Sequence, residues 1–187
     1  MQDFTQAQIH TPRLTLRTLI PSDSEALFSI FSDPEVMRYW NTPPWVSIVD
    51  AEQFIREHQA GMLSGEWVTL GIFARDEDAL VGKCMLFHYD RESRRAEIGF
   101  GIARSTWGKG YIQEAGAALI DYGFNTMHLR RIEAEIDPQN RASGKALERL
   151  GFVQEGLLRE RWQINGVISD SALYGLLAKN SPAKINN

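Results

Sequence analysis

The sequence predicts an α/β (α+β) domain: a central mixed, mostly antiparallel twisted sheet of about seven strands with helices on both faces. Three observations carry this. Residues 67–102 hold three runs rich in β-branched and aromatic residues, separated by polar turns, which reads as an antiparallel meander. A turn at Gly108 and Gly110 then joins a strand to a long amphipathic helix, and a second strand–helix unit follows over 131–150. Asn165-Gly166, set between two extended runs, is the type I′ hairpin signal.

Taken in order, the first strand centres on Leu14 and Leu16. Ser22 and Glu25 then stand at capping-box spacing, and Leu27, Ile30 and Phe31 continue as one helix face, so this helix ends near Asp33-Pro34. Ser47 and Asp50 repeat the spacing before a helix carrying Phe54, Ile55, His58 and Met62. The meander strands are 67–74, 80–87 and 97–102, and Arg75-Asp76-Glu77-Asp78 forms the first turn. After the glycine turn, Ile112, Ala115, Leu119 and Tyr122 recur at helical spacing. Ile132, Ala134 and Ile136 alternate with Arg131, Glu133 and Glu135, the pattern of a strand with one polar face. Asp137-Pro138-Gln139-Asn140-Arg141-Ala142-Ser143 leads into a helix with Ala146, Leu147 and Leu150, closed by Gly151-Phe152. Residues 157–164 and 167–177 should pair antiparallel, and residues 180–187 read as a frayed tail.

Length and composition fit one domain of 187 residues, with no repeat or linker to divide it. Cys84 is the only cysteine, so no internal disulfide forms and a reducing cytoplasm is the expected compartment. The start, Met-Gln-Asp-Phe-Thr, has neither the basic nor the apolar region of a signal peptide, and no apolar run suits a membrane. With 24 acidic and 20 basic residues, the net charge of -4 argues against nucleic-acid binding and is compatible with a cationic amine. His10, His58, His88 and His128 show no metal-ligand spacing, so no metal is expected.

The candidate ligand site is the turn at 104–112, Arg-Ser-Thr-Trp-Gly-Lys-Gly-Tyr-Ile. Gly108 and Gly110 remove side chains at a helix start, so successive backbone N–H groups can meet one anion with the helix dipole behind them. A pyrophosphate suits that arrangement. The dinucleotide fingerprint is excluded because Gln113 replaces its third glycine, and a P-loop is excluded because Lys109 precedes Gly110 rather than Ser or Thr.

The pair Trp-Gly-Lys-Gly-Tyr-Ile-Gln-Glu-Ala (107–115) and Asn-Arg-Ala-Ser-Gly-Lys-Ala-Leu-Glu-Arg-Leu-Gly-Phe (140–152) resembles the acetyl-CoA-binding core of the GNAT N-acetyltransferases. The opening Thr11-Pro12-Arg13-Leu14-Thr15-Leu16-Arg17 and the ending 155–174 are similar to the RimJ/RimL-like branch, the ribosomal protein N-terminal acetyltransferases. Ser105 departs from the family pattern, which often has Gln or Arg three residues before the first glycine. The resemblance implies a GNAT fold in which the strands before and after the cofactor helix splay apart to admit the pantetheine of acetyl-CoA. It implies cofactor contacts from Ile102, Ala103, Trp107, Gly108, Lys109, Gly110, Tyr111, Ile112, Asn140 and Ser143. Asn140 either meets the pantetheine amides or makes an Asx turn after Asp137-Pro138. Lys109, Arg141 and Lys145 either steer the phosphates or are solvated charge.

Acetyl transfer from a thioester to an amine needs a neutral nucleophile, a donor for the carbonyl oxygen and a proton for the thiolate, without a metal. The oxyanion donor is expected among the N–H groups of 101–103, where Gly99 and Gly101 suit a bulge. Ser143 occupies the family's position for the proton donor, with N-cap of the following helix as its other role. Glu97 is the first candidate base and Glu66 the second. Residues 39–45 either line the acceptor cleft or pack as an aromatic cluster. The favoured reading is acetyl transfer to a protein N-terminal α-amine by a monomer or homodimer. A small-molecule amine such as a polyamine, amino acid or aminoglycoside is the alternative acceptor, and a non-catalytic acyl-CoA-binding module is the alternative class.

Overall fold

The computed structural model describes residues 2–181, and in it the extended runs become eight strands of one sheet. These are β1 (Gln8–His10), β2 (Leu14–Arg17), β3 (Val68–Ala74), β4 (Ala79–Asp90), β5 (Arg95–Ile102), β6 (Arg131–Ile136), β7 (Val153–Ile164) and β8 (Val167–Leu177). They lie in the order β1-β2-β3-β4-β5-β6-β8-β7, antiparallel throughout except for parallel β5 and β6. The helices are α1 (Ser24–Phe31), α2 (Pro34–Met37), α3 (Ile48–Ser64), α4 (Tyr111–Asn125) and α5 (Arg141–Arg149).

Strand alternation sends apolar side chains to both faces, and each face buries its own cluster. Leu16, Leu70, Ile72 and Leu86 pack with Leu119 of α4 and Leu147 of α5. On the opposite face Phe73 packs with Leu27, Ile30 and Phe31 of α1, Met37 of α2, and Ala51 and Ile55 of α3. Among the described residues no helix is long and apolar enough to cross a membrane.

The splay is a matter of register. β5 and β6 pair only at Arg95↔Arg131, Ala96↔Ile132 and Glu97↔Glu133. Beyond that, β5 stays paired with β4 as far as Ile102↔Gly82, while β6 stays paired with β8 as far as Ile136↔Ala172. From Ile98 and Ala134 onward the two strands share no ladder.

Local details differ from the sequence reading where side chains compete. A 3₁₀ turn, Pro21–Asp23, precedes α1, so the first cap is Asp23 and not the Ser22–Glu25 box. Asp23 Oδ2 accepts from the Ile20 N–H at 2.8 Å, and its carboxylate also takes both Arg17 guanidinium donors, at 2.9 and 3.0 Å. Pro34 ends one helix and opens the next, with Asp33 Oδ1 accepting from the Glu35 N–H at 2.9 Å. Asp50 accepts from the Ser47 N–H at 3.0 Å, as its spacing predicts. The bulge suited to Gly99 and Gly101 is absent, because their pairing with Met85 and Lys83 is regular. The irregularity falls instead between Phe87 and Asp90, where His88 has φ 49°. The short edge strand β1 makes eight strands rather than about seven. The expected tail falls largely on 182–187, outside the described residues, and Ser181 is buried.

Candidate active site

The glycine turn leaves a run of main-chain donors open. Gly108 and Gly110 have φ 77° and 78°, a left-handed conformation that L side chains resist. The first helical bond of α4 runs from the Glu114 N–H to the Gly110 carbonyl at 3.2 Å. Among the described residues, the N–H groups of Gly108, Gly110, Tyr111, Ile112 and Gln113 have no acceptor, and they sit at the positive end of the α4 dipole. Lys109 is exposed, and so is Trp107, whose indole Nε1 donates to the Ile102 carbonyl at 3.1 Å and ties the loop to β5.

Backbone polarity singles out one donor within 101–103. The Ala103 N–H is spent on the Val81 carbonyl at 2.7 Å. Successive N–H groups of an antiparallel strand face opposite sides, so Gly101 also faces β4 and the Ile102 N–H turns toward the splay.

Across the gap, Asn140 Oδ1 accepts from the Ser143 N–H at 3.1 Å, so Asn140 is the N-cap of α5. This corrects the capping role for Ser143, which lies inside the first turn. The cap uses the Asn140 carbonyl and leaves Nδ2 without a partner among the described residues; the Ser143 hydroxyl is likewise unpartnered. The Asx turn belongs to Asp137, whose Oδ1 accepts from the Gln139 N–H at 2.7 Å. Arg141 and Lys145 are exposed.

Asn140, Ser143 and Glu97 all line one pocket of about 520 Å³. Its walls come from residues 37–44, from Met85 and Phe87 of β4, and from residues 97–100, 134–137, 162–165 and 169–171 in part or whole. Among its lining residues are the carboxylates Glu97, Glu135, Asp137 and Asp170, against the single guanidinium of Arg38. Of the aromatic cluster, Tyr39 and Trp40 line the pocket. Trp45 packs instead, its ring 5.2 Å from Phe31 and 5.5 Å from Phe54.

Glu97 lies at the last position of β5 that pairs with β6, and its Oε2 is 3.0 Å from His88 Nδ1. Burial pushes its carboxyl above the usual range, the His88 hydrogen bond opposes this, and nearby Glu135 and Glu133 add to it. Glu66 is exposed just past the end of α3 and takes no part in the pocket wall, so the structure does not bring it to the site.

Two features were not foreseen. The β7–β8 hairpin contributes Trp162, Ile164 and Val167 to the pocket, a tertiary placement its turn signal does not announce. Lys83 is 3% exposed, its Nζ 4.6, 4.7 and 4.3 Å from the ring centroids of Phe31, Trp40 and Phe54. Burial lowers its pKa to about 7. The signal was present as one lysine inside the apolar run 79–87.

Residues 13–153 match the family described as Acetyltransferase (GNAT) domain. The chain is 38% identical over 171 residues to the uncharacterized N-acetyltransferase p20 of Bacillus licheniformis, covering 91% of this chain and 96% of that one. It is 29% identical over 180 residues to the [ribosomal protein uS5]-alanine N-acetyltransferase of Escherichia coli, covering 91% of each. Among solved structures, the spermidine N-acetyltransferase of Vibrio cholerae in complex with CoA and spermine superposes with a TM-score of 0.81 at 25% identity, over 91% of this chain and 98% of that one.

Proposed function

The chain belongs to the GNAT acetyltransferase family and is an acetyl-CoA-dependent N-acetyltransferase, and from that premise we propose that its acceptor is the N-terminal α-amine of a protein. The pocket carries this reading. Its carboxylates suit an ammonium group, and its aromatic and proline walls suit the first side chains of a peptide.

Magnitudes favour the α-amine over a lysine side chain. With a pKa of about 7.7–8.0 an α-amine is roughly one-tenth neutral at pH 7, whereas an ε-amine near 10.4 is neutral in about one molecule in 2,500. A weak carboxylate base therefore suffices for the first and falls short for the second. In this reading Glu97, directly or through a water, receives the ammonium proton. The N–H groups at Gly108, Gly110 and the start of α4 receive the diphosphate, and Asn140 Nδ2 meets the pantetheine. The Ile102 N–H faces the developing oxyanion, and the Ser143 hydroxyl protonates the departing thiolate.

Named relatives act on both acceptor types, uS5 alanine in one case and spermidine in another. The four pocket carboxylates would also suit a polyamine. The discriminating measurement is mass spectrometry after incubation with acetyl-CoA and a mixture of free N-terminal peptides, blocked peptides with internal lysines, and polyamines. Near neutral pH the free N-terminal peptides should be acetylated first. Acetylation confined to internal lysines, or to polyamines, would overturn the proposal.

A further inference from the structure

The opening segment 11–17 carries two arginines that act in different places. Arg17 turns to Asp23 beneath α1. Arg13 reaches the start of α4, where its Nε donates to Glu114 Oε2 at 2.6 Å and its Nη1 donates to the Lys109 carbonyl at 2.8 Å. Glu114 Oε1 also accepts from the Thr11 hydroxyl at 2.6 Å and the Arg13 N–H at 2.8 Å. The guanidinium carbon lies 4.9 Å from the centre of the Tyr111 ring.

The Lys109 carbonyl and the Gly110 N–H belong to one planar trans peptide, so they point in opposite directions. Fixing the carbonyl on Arg13 therefore fixes the direction of the Gly110 N–H, one of the donors left open to an anion. Glycines on both sides of Lys109 would otherwise let that peptide turn freely. The second effect is electrostatic. Glu114 stands in the first turn of α4, where a diphosphate would meet an unpaired carboxylate. Burial alone would raise its pKa, but the hydrogen bonds from Thr11 and Arg13 outweigh it and the pKa is lowered, so the anion is present and Arg13 neutralises it.

We propose that Arg13 is a positioning residue for the diphosphate of acetyl-CoA, aiming the Gly110 N–H through the Lys109 carbonyl and cancelling the charge of Glu114. The proposal rests on the glycine turn being the diphosphate cradle, and the test separates the two ideas. Steady-state kinetics on the full chain should compare acetyl-CoA with S-acetylpantetheine, a thioester that has no diphosphate. Arg13→Met should raise KM for acetyl-CoA about tenfold, with kcat near parental and use of S-acetylpantetheine unchanged. Arg13→Lys keeps the charge without the two-pronged grip and should fall between, which also covers the case in which the methionine variant does not fold. Arg17→Met should lose thermal stability and keep its KM for acetyl-CoA. An unchanged KM in both Arg13 variants, or an equal loss with both thioesters, would overturn the positioning role alone. A parent enzyme that uses the two thioesters with equal KM would overturn the cradle and Arg13's role with it.

Discussion

The two banks of the splay are made of different material. The bank formed by β5, the glycine turn and α4 presents main-chain N–H groups, held in place by side chains such as Trp107 and Arg13, with Glu97 at its inner end as its carboxylate in the pocket. The bank formed by α5, the 37–44 loop and the β7–β8 hairpin presents side chains: a free serine hydroxyl, carboxylates and aromatic rings. A main-chain site depends on conformation and tolerates many sequences, whereas a side-chain site changes with each substitution. The first bank is thus suited to a ligand common to a family and the second to an acceptor that varies.

Substitutions can break this contrast, and the largest effect is expected on the side-chain bank. Ser143→Ala should lower kcat by about 10²- to 10⁴-fold through loss of a positioned proton donor, with acetyl-CoA affinity near parental. Its melting temperature should hold, because Asn140 and not Ser143 caps α5. Full kcat in that variant would pass the proton role to another group.

A smaller effect is expected on the main-chain bank. Gly110→Val places a β-branched residue at φ 78°, a strain of about 1–3 kcal/mol that the loop can relieve only by turning its N–H groups away. Calorimetry should show acetyl-CoA affinity reduced about 10- to 100-fold. Lys109→Ala, which removes a side chain from the same turn and leaves its N–H groups, should cost far less. Equal losses in the two variants would show that the cradle works through the Lys109 ammonium.

The smallest effect on catalysis is expected at Lys83, which bears on stability beneath Phe31, Trp40 and Phe54. Lys83 has its pKa lowered by burial to about 7 in the folded chain, with the three aromatic faces retaining part of the ammonium's stabilisation. The unfolded chain holds that proton up to its ordinary value of 10.5. Between those values the unfolded state binds more protons, so stability should rise with pH from about 7 toward 10.5 and be lost again as pH falls. Lys83→Met should remove that slope and raise the melting temperature at neutral pH by roughly 2–4 °C per kcal/mol regained. A parental pH profile in the variant would show that the ammonium stays charged in its aromatic cage.

What the sequence reveals follows the same division. Gly108, Gly110 and Asn165-Gly166 announce themselves because a left-handed backbone selects its residue locally. The meander and α4 are legible because one buried face imposes a period. β1 is three residues long, too short for any period to show. The start of α1 departs from the Ser22–Glu25 pattern because a 3₁₀ turn comes first, its Asp23 carboxylate bonded to the Ile20 N–H and to Arg17 six positions earlier. Glu97 could be nominated from its strand, but its His88 partner depends on an irregularity in the neighbouring strand. The hairpin's share of the pocket depends on β8 crossing to lie between β6 and β7, which no short window of sequence contains.

The early parting of β5 and β6 leaves the sheet unfinished in its middle rather than at its rim. An open rim invites a strand from any neighbouring protein. This interior seam is flanked by β4 and β8, and its two unpaired edges line the pocket at residues 98–100 and 134–136. A polypeptide strand laid along it would carry a side chain at every residue into the space that the acceptor's reacting end must share. A slim chain of methylenes and amides brings hydrogen-bonding groups without that bulk. The fold therefore keeps an unpaired edge inside the sheet, where a thread can lie at length and only the tip of an acceptor need reach.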